Sequence, residues 1–235
     1  MQTPKFSIIT PVFNNEKEIE QCLKSVAAQT YTNIEHIIID GNSNDNTINI
    51  IMDFSKKYPH LKFLSEKDNG IYDAMNKGIQ MASGDYLYFM GSDDVFYNEL
   101  VLSQIADETK SFDLIYGNVW FKHKQIIYNG ASDKRKIIDC SICHQAAFFH
   151  KRIFDAVGVY DATLKYAGDW DLFLRCFYNE KIKIKYVDNI ICIFNDLGIS
   201  GYHSESKKTK YRVLYHRLGI WGVLSYWRIQ LKKYL

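Results

Sequence analysis

Charge of one sign is almost absent from this sequence as an excess: 29 Lys and Arg stand against 27 Asp and Glu, a net of +2. A field that weak names no polyanionic partner, and no nucleic acid is expected. Disulfide architecture is also missing, since the five Cys form an odd set and the opening Met-Gln-Thr-Pro-Lys carries no charged n-region followed by an apolar h-region. Free thiols in a reducing cytoplasm are therefore expected. Cys140-Ser-Ile-Cys143-His144 formally matches a haem-attachment pattern and could start a zinc site. It lacks a second close Cys/His pair, and both readings are rejected. No internal repeat or low-complexity tract is visible. What the chain does have is 47% hydrophobic and 24% charged residues, ordinary for a soluble globular enzyme, and a 15% aromatic share. At 235 residues it fits one α/β domain, or a nucleotide-binding half fused to a smaller one.

Periodicity organises the first hundred residues. Phe6 to Phe13 is an apolar run of the kind that forms a buried parallel strand. Ile19, Cys22, Leu23, Val26 and Ala27 recur at helical spacing after it. Ile37-Ile38-Ile39 gives a second strand, and Ile48, Ile51 and Met52 start a second helix. Leu61 to Leu64, Ile71 to Ala82 and Tyr86 to Met90 add a strand, a helix and a strand. Such alternation predicts a Rossmann-like, mostly parallel sheet with right-handed crossovers and helices on both faces. Ligands of these sheets sit at the carboxyl ends of the strands, where Thr10 to Asn14, Asp40 to Asp45 and Gly91 to Asp94 fall. Beyond residue 100 the alternation fades after a strand-like Asp113 to Phe121.

Two acidic segments could carry chemistry. Asp93 and Asp94 follow an apolar strand directly, and adjacent carboxylates cannot both be buried without a counter-charge. Hard oxygen ligands suit Mg²⁺ or Mn²⁺; a solvated turn capping the next helix is the other reading. Asp40, at another strand end, either accepts the imide N–H of a uracil or caps the Asn44–Thr47 helix start. In Gly168-Asp169-Trp170-Asp171, Asp169 precedes a helix whose Trp170, Phe173, Leu174 and Phe177 would face the core. Such a carboxylate can take a proton from an acceptor hydroxyl, or serve only as an N-cap.

Five ordered motifs together resemble the inverting family-2 glycosyltransferases of the GT-A fold, above all the bacterial members that build lipopolysaccharide, capsule and exopolysaccharide. They are Ser7-Ile-Ile-Thr-Pro-Val-Phe-Asn-Asn15 leading to Glu16, Ile38 to Thr47, Glu66 to Gly78, Ser92-Asp-Asp94 and Gly168 to Asp171, within about the first two hundred residues. The resemblance implies a metal-dependent inverting transfer from a nucleotide-sugar donor, UDP-linked first, to a glycan or lipid-linked acceptor. It places Thr10, Pro11, Phe13, Glu16, Asp40 and Asp93 at the nucleotide, and Tyr72, Asn76 and Lys77 near the pyrophosphate or sugar. Mn²⁺ or Mg²⁺ falls to Asp94, with Asp93 and His203 as further ligands; a surface His is the other reading of His203. Asp169 takes the part of the catalytic base, and Gly168 stands where the family often has Glu. His144, Gln145 and Trp170 are the implied acceptor contacts. Residues 1–100 then form the nucleotide-sugar-binding half, 101–205 the acceptor-binding and catalytic-base half, and 206–235 a basic amphipathic tail.

Three expectations remain. The tail carries eight Lys or Arg and no acid, with Tyr211, Leu214, Leu218, Trp221, Leu224 and Leu231 at near-helical spacing. Its longest apolar stretch, Leu218 to Trp227, is well short of the roughly 20 residues that span a bilayer. Peripheral binding to the inner face of the cytoplasmic membrane is expected, or packing of the stripe on the domain or across a homodimer. A nucleotidyltransferase is a rival, but Thr10-Pro-Val-Phe-Asn-Asn lacks the Gly-rich, Lys- or Arg-bearing phosphate loop such enzymes carry. A non-catalytic nucleotide-sugar-binding scaffold is the other rival, separable by turnover.

Overall fold

Strand β1 (Phe6–Val12) is buried along its whole length and pairs in parallel with β2 (Ile34–Asp40) and β4 (Tyr86–Phe89). Strand β3 (Leu61–Ser65) continues the parallel order outside β2. Helices α1 (Ile19–Ala27), α2 (Thr47–Lys57) and α3 (Ile71–Met81) are the crossovers. The computed structural model describes residues 3–128, 130–197 and 206–233. Later elements are β5 (Val95–Phe96), α4 (Val101–Glu108), β6 (Leu114–Phe121), β7 (Ile126–Tyr128), α5 (Lys136–Asp139), a 3₁₀ turn at His144–Ala146, and β8 (Ala147–His150). Then come α6 (Arg152–Val157), α7 (Gly168–Phe177), β9 (Ile184–Phe194) and α8 (Lys207–Lys232).

Among the described residues the strands form one sheet in the order β3-β2-β1-β4-β8-β6-β9-β5, with β7 on β6. Strand β8 runs antiparallel between β4 and β6, and β9 runs parallel to β6. Helices cover both faces, as the alternation predicts. The side-chain period of two sends Ile8, Ile38, Tyr88, Ile115 and Phe148 to one core with α1, α2 and α4. It sends Ile9, Ile37, Phe89, Leu114 and Phe149 to the other, with α3, α5, α6, α7 and α8. Buried Glu35 on β2 ties neighbours together by accepting from Ser7 Oγ (2.6 Å), Ser83 N (2.6 Å) and Lys62 Nζ (3.0 Å).

The tail departs from the expected stripe. Gly219 has φ +65° and ψ −161°, which ends one helical phase and starts another. Tyr211 and Tyr226 meet edge to face at 5.6 Å, although 15 residues of straight helix would separate them by about 22 Å. The tail is therefore a hairpin of two helices. Its inner face is Val213, Leu214, Gly222 and Tyr226, while Trp221 and Leu231 of the predicted stripe turn outward.

Candidate active site

The loops after β1 and β2 are stitched to each other. Asn14 N donates to Ser43 Oγ (2.8 Å), Asn15 N to Thr47 Oγ1 (2.8 Å), Asn44 N to Asn14 Oδ1 (2.9 Å) and Asn46 N to Glu16 Oε2 (2.8 Å). Asn14 and Asn42 take positive φ, a conformation Asn adopts more readily than most residues. Asn15 Nδ2 donates to Ser92 Oγ (2.9 Å), which joins the loop after β4 to the other two. The loops after β1 and β4 frame a cleft of about 470 Å³, with Pro11, Phe13, Glu18, Asp68, Asp93, His144 and Asn195 among its walls. Phe13 leaves 62% of its surface exposed at this cleft, a ring face open to a planar ligand.

At the floor, Asp94 is buried and both its oxygens are engaged: Oδ1 accepts from Asn195 N (2.8 Å) and Oδ2 from Gln145 Nε2 (3.1 Å). Asn195 Nδ2 donates to Asp93 Oδ2 (3.1 Å). Burial, then the neighbouring Asp93 charge, pushes the Asp94 carboxyl up to about 7, and burial also raises Asp93. No Lys, Arg or His among the described residues pairs with either one. Asp93 lines the cleft and Asp94 does not, so the accessible carboxylate of the pair is Asp93. No third His, Cys, Asp or Glu joins them among the described residues. Two hard carboxylates with no direct ion pair among the described residues fit a divalent cation that completes its shell with water and phosphate oxygens.

Asp169 sits in the first turn of α7. Its Oδ1 accepts from Trp170 N (2.8 Å) and the Tyr72 hydroxyl (3.3 Å), and its Oδ2 lies 3.5 Å from His144 Nδ1. Burial, then the Asp169 charge, pushes the Tyr72 hydroxyl far up, which keeps it a donor. The Tyr72 ring stacks on Tyr160 at 5.5 Å and fills the space beside Gly168, where a Cβ would stand 2.8 Å from the ring. Any side chain at position 168 meets the Tyr72 ring, so a residue larger than glycine requires the ring to shift.

Several predicted side chains do not reach the cleft. Thr10 bonds His36 Nε2 inside the fold (3.0 Å), because strand alternation turns it inward. The Asp40 carboxylate is buried and accepts from Ser43 N and from Ser65 Oγ (2.6 Å), so it shapes its own loop. Glu16 caps the neighbouring loop as described above. Asn76 spends both polar ends on the Tyr160 backbone (2.9 and 3.0 Å), and Lys77 pairs with Glu66 (2.9 Å). Trp170 is core, as its helical spacing predicts, its Nε1 donating to Ile137 O (2.7 Å). His203 lies outside the described residues. Conversely, Glu18, Asp68 and Asn195 line the cleft without having been predicted. Asn195 follows β9, and only its place at a strand end could have signalled it.

A family model described as glycosyl transferase family 2 matches residues 7–157. A PGL/p-HBAD biosynthesis glycosyltransferase of Mycobacterium tuberculosis is 34% identical over 203 residues, covering 84% of this chain and 79% of that protein. A chondroitin synthase of Escherichia coli is 28% identical over 184 residues, 74% of this chain and 26% of that one. Among solved structures, Staphylococcus aureus TarS 1–349 in complex with UDP-GlcNAc superposes with TM-score 0.75 at 21% identity, covering 89% of this chain. This chain spans 64% of that structure's length. The mannosyltransferase PcManGT from Pyrobaculum calidifontis, in complex with GDP-Man and Mn²⁺, gives TM-score 0.70 at 15% identity over 96% of this chain and 73% of its own. These likenesses show the GT-A fold.

Proposed function

This chain belongs to glycosyl transferase family 2, and from that premise we propose that its cleft binds a UDP-sugar and delivers the sugar, with inversion, to a hydroxyl of a glycan or lipid-linked acceptor in surface-polysaccharide assembly. The observation that carries the reading is the arrangement along one cleft. An open aromatic face (Phe13) stands at its mouth, a carboxylate (Asp93) lines its wall backed by buried Asp94, and His144, also on the wall, lies against Asp169. A base stacks on Phe13. Glu18, Asp68 and Asp93 make the walls acidic, so an anionic diphosphate needs a cation to enter. Asp93, with Asp94 behind it, would hold Mn²⁺ or Mg²⁺. When bound, that ion neutralises the charge that develops on the leaving diphosphate. Asn195 and Gln145 fix the two carboxylates by hydrogen bonds to Asp93 and Asp94. At the acceptor end, Asp169 supplies the basic group, held by Tyr72 and the Trp170 amide.

The experiment is incubation with a panel of UDP-sugars, Mn²⁺ and total lipid-linked acceptors, reading UDP release. Turnover with at least one donor is expected; tight binding of every donor with no turnover would make the chain a scaffold. Thermal shift at equal Mn²⁺ should rank UDP above GDP. A larger stabilisation by GDP overturns the donor assignment.

A further inference from the structure

Asp171, in the first turn of α7 beside Trp170, is fully buried, and its carboxylate lies between two guanidinium groups. Arg175, one turn along the same helix, donates Nε to Oδ2 (2.9 Å). Arg217 reaches in from the tail hairpin, Nε to Oδ1 (2.6 Å) and Nη2 to Oδ2 (3.1 Å). None of the three lines the cleft. The rest of the Arg175 fork goes to one turn of backbone: Nη1 donates to Val157 O and Gly158 O (2.8 Å), and Nη2 to Val159 O (2.9 Å). A planar guanidinium holds its donors at a fixed spread, so tying Nε to Asp171 also sets where those three carbonyls stand. The turn leads into Tyr160, whose backbone N and O are both held by Asn76 (3.0 and 2.9 Å) and whose ring stacks on Tyr72 at 5.5 Å. Tyr72 in turn donates its hydroxyl to Asp169 Oδ1 (3.3 Å).

We propose that Arg217 of the tail hairpin is a positioning residue for the Asp169 base: it fixes Asp171 and Arg175, and through residues 157–159 and Tyr160 it sets Tyr72 against Asp169. The inference rests on the transferase reading above, in which Asp169 takes the acceptor proton. Of the two hydrogen bonds to Asp169 Oδ1, that from the Trp170 amide is local, whereas that from Tyr72 comes from α3 and depends on how α3 and α7 are spaced. Tyr160 sets that spacing, because it stacks on the Tyr72 ring and is bound at both backbone ends to Asn76 of the same helix. Without Arg217 the buried Asp171 charge is left to Arg175 alone, and a buried carboxylate short of a partner draws the remaining cation toward itself. The Arg175 fork then turns and lets go of the 157–159 carbonyls. A displacement of about 1 Å at a reacting group can cost about 100-fold in rate. The hairpin thus acts on the chemistry through packed side chains, with Arg217 itself outside the donor cleft.

The test uses the whole chain with the UDP-sugar panel, Mn²⁺ and the lipid-linked acceptors, reading UDP release. Arg217→Gln should lower kcat by about tenfold or more while the Kd for UDP stays unchanged. Arg217→Lys, which keeps the charge but not the two-pronged grip, should fall between that variant and the wild type. A cycle with Tyr72→Phe separates positioning from a general loss of stability. If Arg217 acts through Tyr72, the double variant loses little more than Tyr72→Phe alone. A folded Arg217→Gln with wild-type kcat, a Kd for UDP that weakens as far as kcat falls, or losses that multiply in the double variant each overturn the proposal. If Arg217→Gln does not fold, the same cycle is read with Arg217→Lys. ¹³C NMR of labelled tyrosine gives a reading that needs no turnover: Arg217→Lys should move the ring signals of Tyr160 and Tyr72 and leave that of Tyr31, packed on the other core, in place. Unmoved Tyr160 and Tyr72 signals overturn the link. A wild-type chain that releases no UDP from any donor sinks the transferase reading instead, and the ring signals still judge whether Arg217 holds Tyr72.

Discussion

Asp94 concentrates the electrostatics of the cleft in one carboxyl. A free Asp loses its proton near 3.8, whereas burial and the adjacent Asp93 hold that of Asp94 to about 7. The folded state therefore binds a proton the unfolded chain has released, so this group's stabilising contribution is complete below pH 3.8 and is lost as pH rises through 7. A divalent cation favours the ionised pair and offsets the loss. Thermal denaturation should show Mn²⁺ raising Tm more at pH 8 than at pH 5, and an equal shift at both would remove the acidic pair from metal binding. Gly168 gives a second residue-scale prediction. Gly168→Ala places a methyl 2.8 Å from a Tyr72 ring that is pinned on Tyr160. A loss of about 1–3 kcal/mol is expected from overpacking, with transfer falling more than UDP affinity as the Tyr72–Asp169 contact goes; unchanged Tm and turnover would show that the ring yields freely. At this scale the sequence located loops better than side chains. The motifs marked the neighbourhoods of Asp93, Asp94 and Asp169, but strand phase turned Thr10 inward. Asn195, 101 positions from Asp94, left no local trace.

The elements from β1 to β4 were legible because their apolar residues form continuous or periodic sets. Strand β1 ends one residue before the predicted limit, at Val12, and frees Phe13 for the cleft. Strands β8 and β9 were not legible as part of the same sheet. Strand β8 is four residues long and enters between β4 and β6 antiparallel, a pairing no local period encodes. Glu35 likewise reads as a polar interruption in β2, yet it joins β1, β3 and the turn before β4. Burial alone would raise its carboxyl, but the hydrogen bonds from Ser7, Ser83 and Lys62 prevail and hold it at about 2. The stability it contributes is present above pH 4.5 and is lost as pH falls toward 2. Glu35→Gln should cost about 2 kcal/mol at pH 7 and much less at pH 3, measured by urea denaturation. A cost that does not change with pH would mean that shape and not charge holds the three strands.

Across the whole molecule, the tail hairpin is part of the second core and also presents a surface of its own. Val213, Leu214 and Tyr226 pack among α5 and α7, while Arg217 grips buried Asp171 (2.6 and 3.1 Å) and Lys233 pairs with Asp139 (2.7 Å). Cutting the chain at Ser206 would strip that core and leave Asp171 with Arg175 alone, so truncation tests folding before it tests anchoring. Its exposed side chains are different: Trp221 and Trp227 are 70% and 54% exposed, and Lys207, Lys208, Arg212, Arg228 and Lys232 are also exposed. Among the described residues no helix is long and apolar enough to cross a membrane. A hairpin that exposes both Trp and Lys or Arg suits an anionic bilayer interface, where each basic residue contributes about 1 kcal/mol and the rings sit at headgroup depth. The intact chain should co-sediment with vesicles containing phosphatidylserine at low salt and release as salt rises. A Trp221→Ser, Trp227→Ser double variant should keep its Tm, since neither ring is buried, and pellet several-fold less. If the intact chain stays in the supernatant at low salt, or the double variant pellets equally well, the face is not a membrane surface; a concentration-dependent dimer that the same substitutions dissolve would identify a second copy of the chain as its partner.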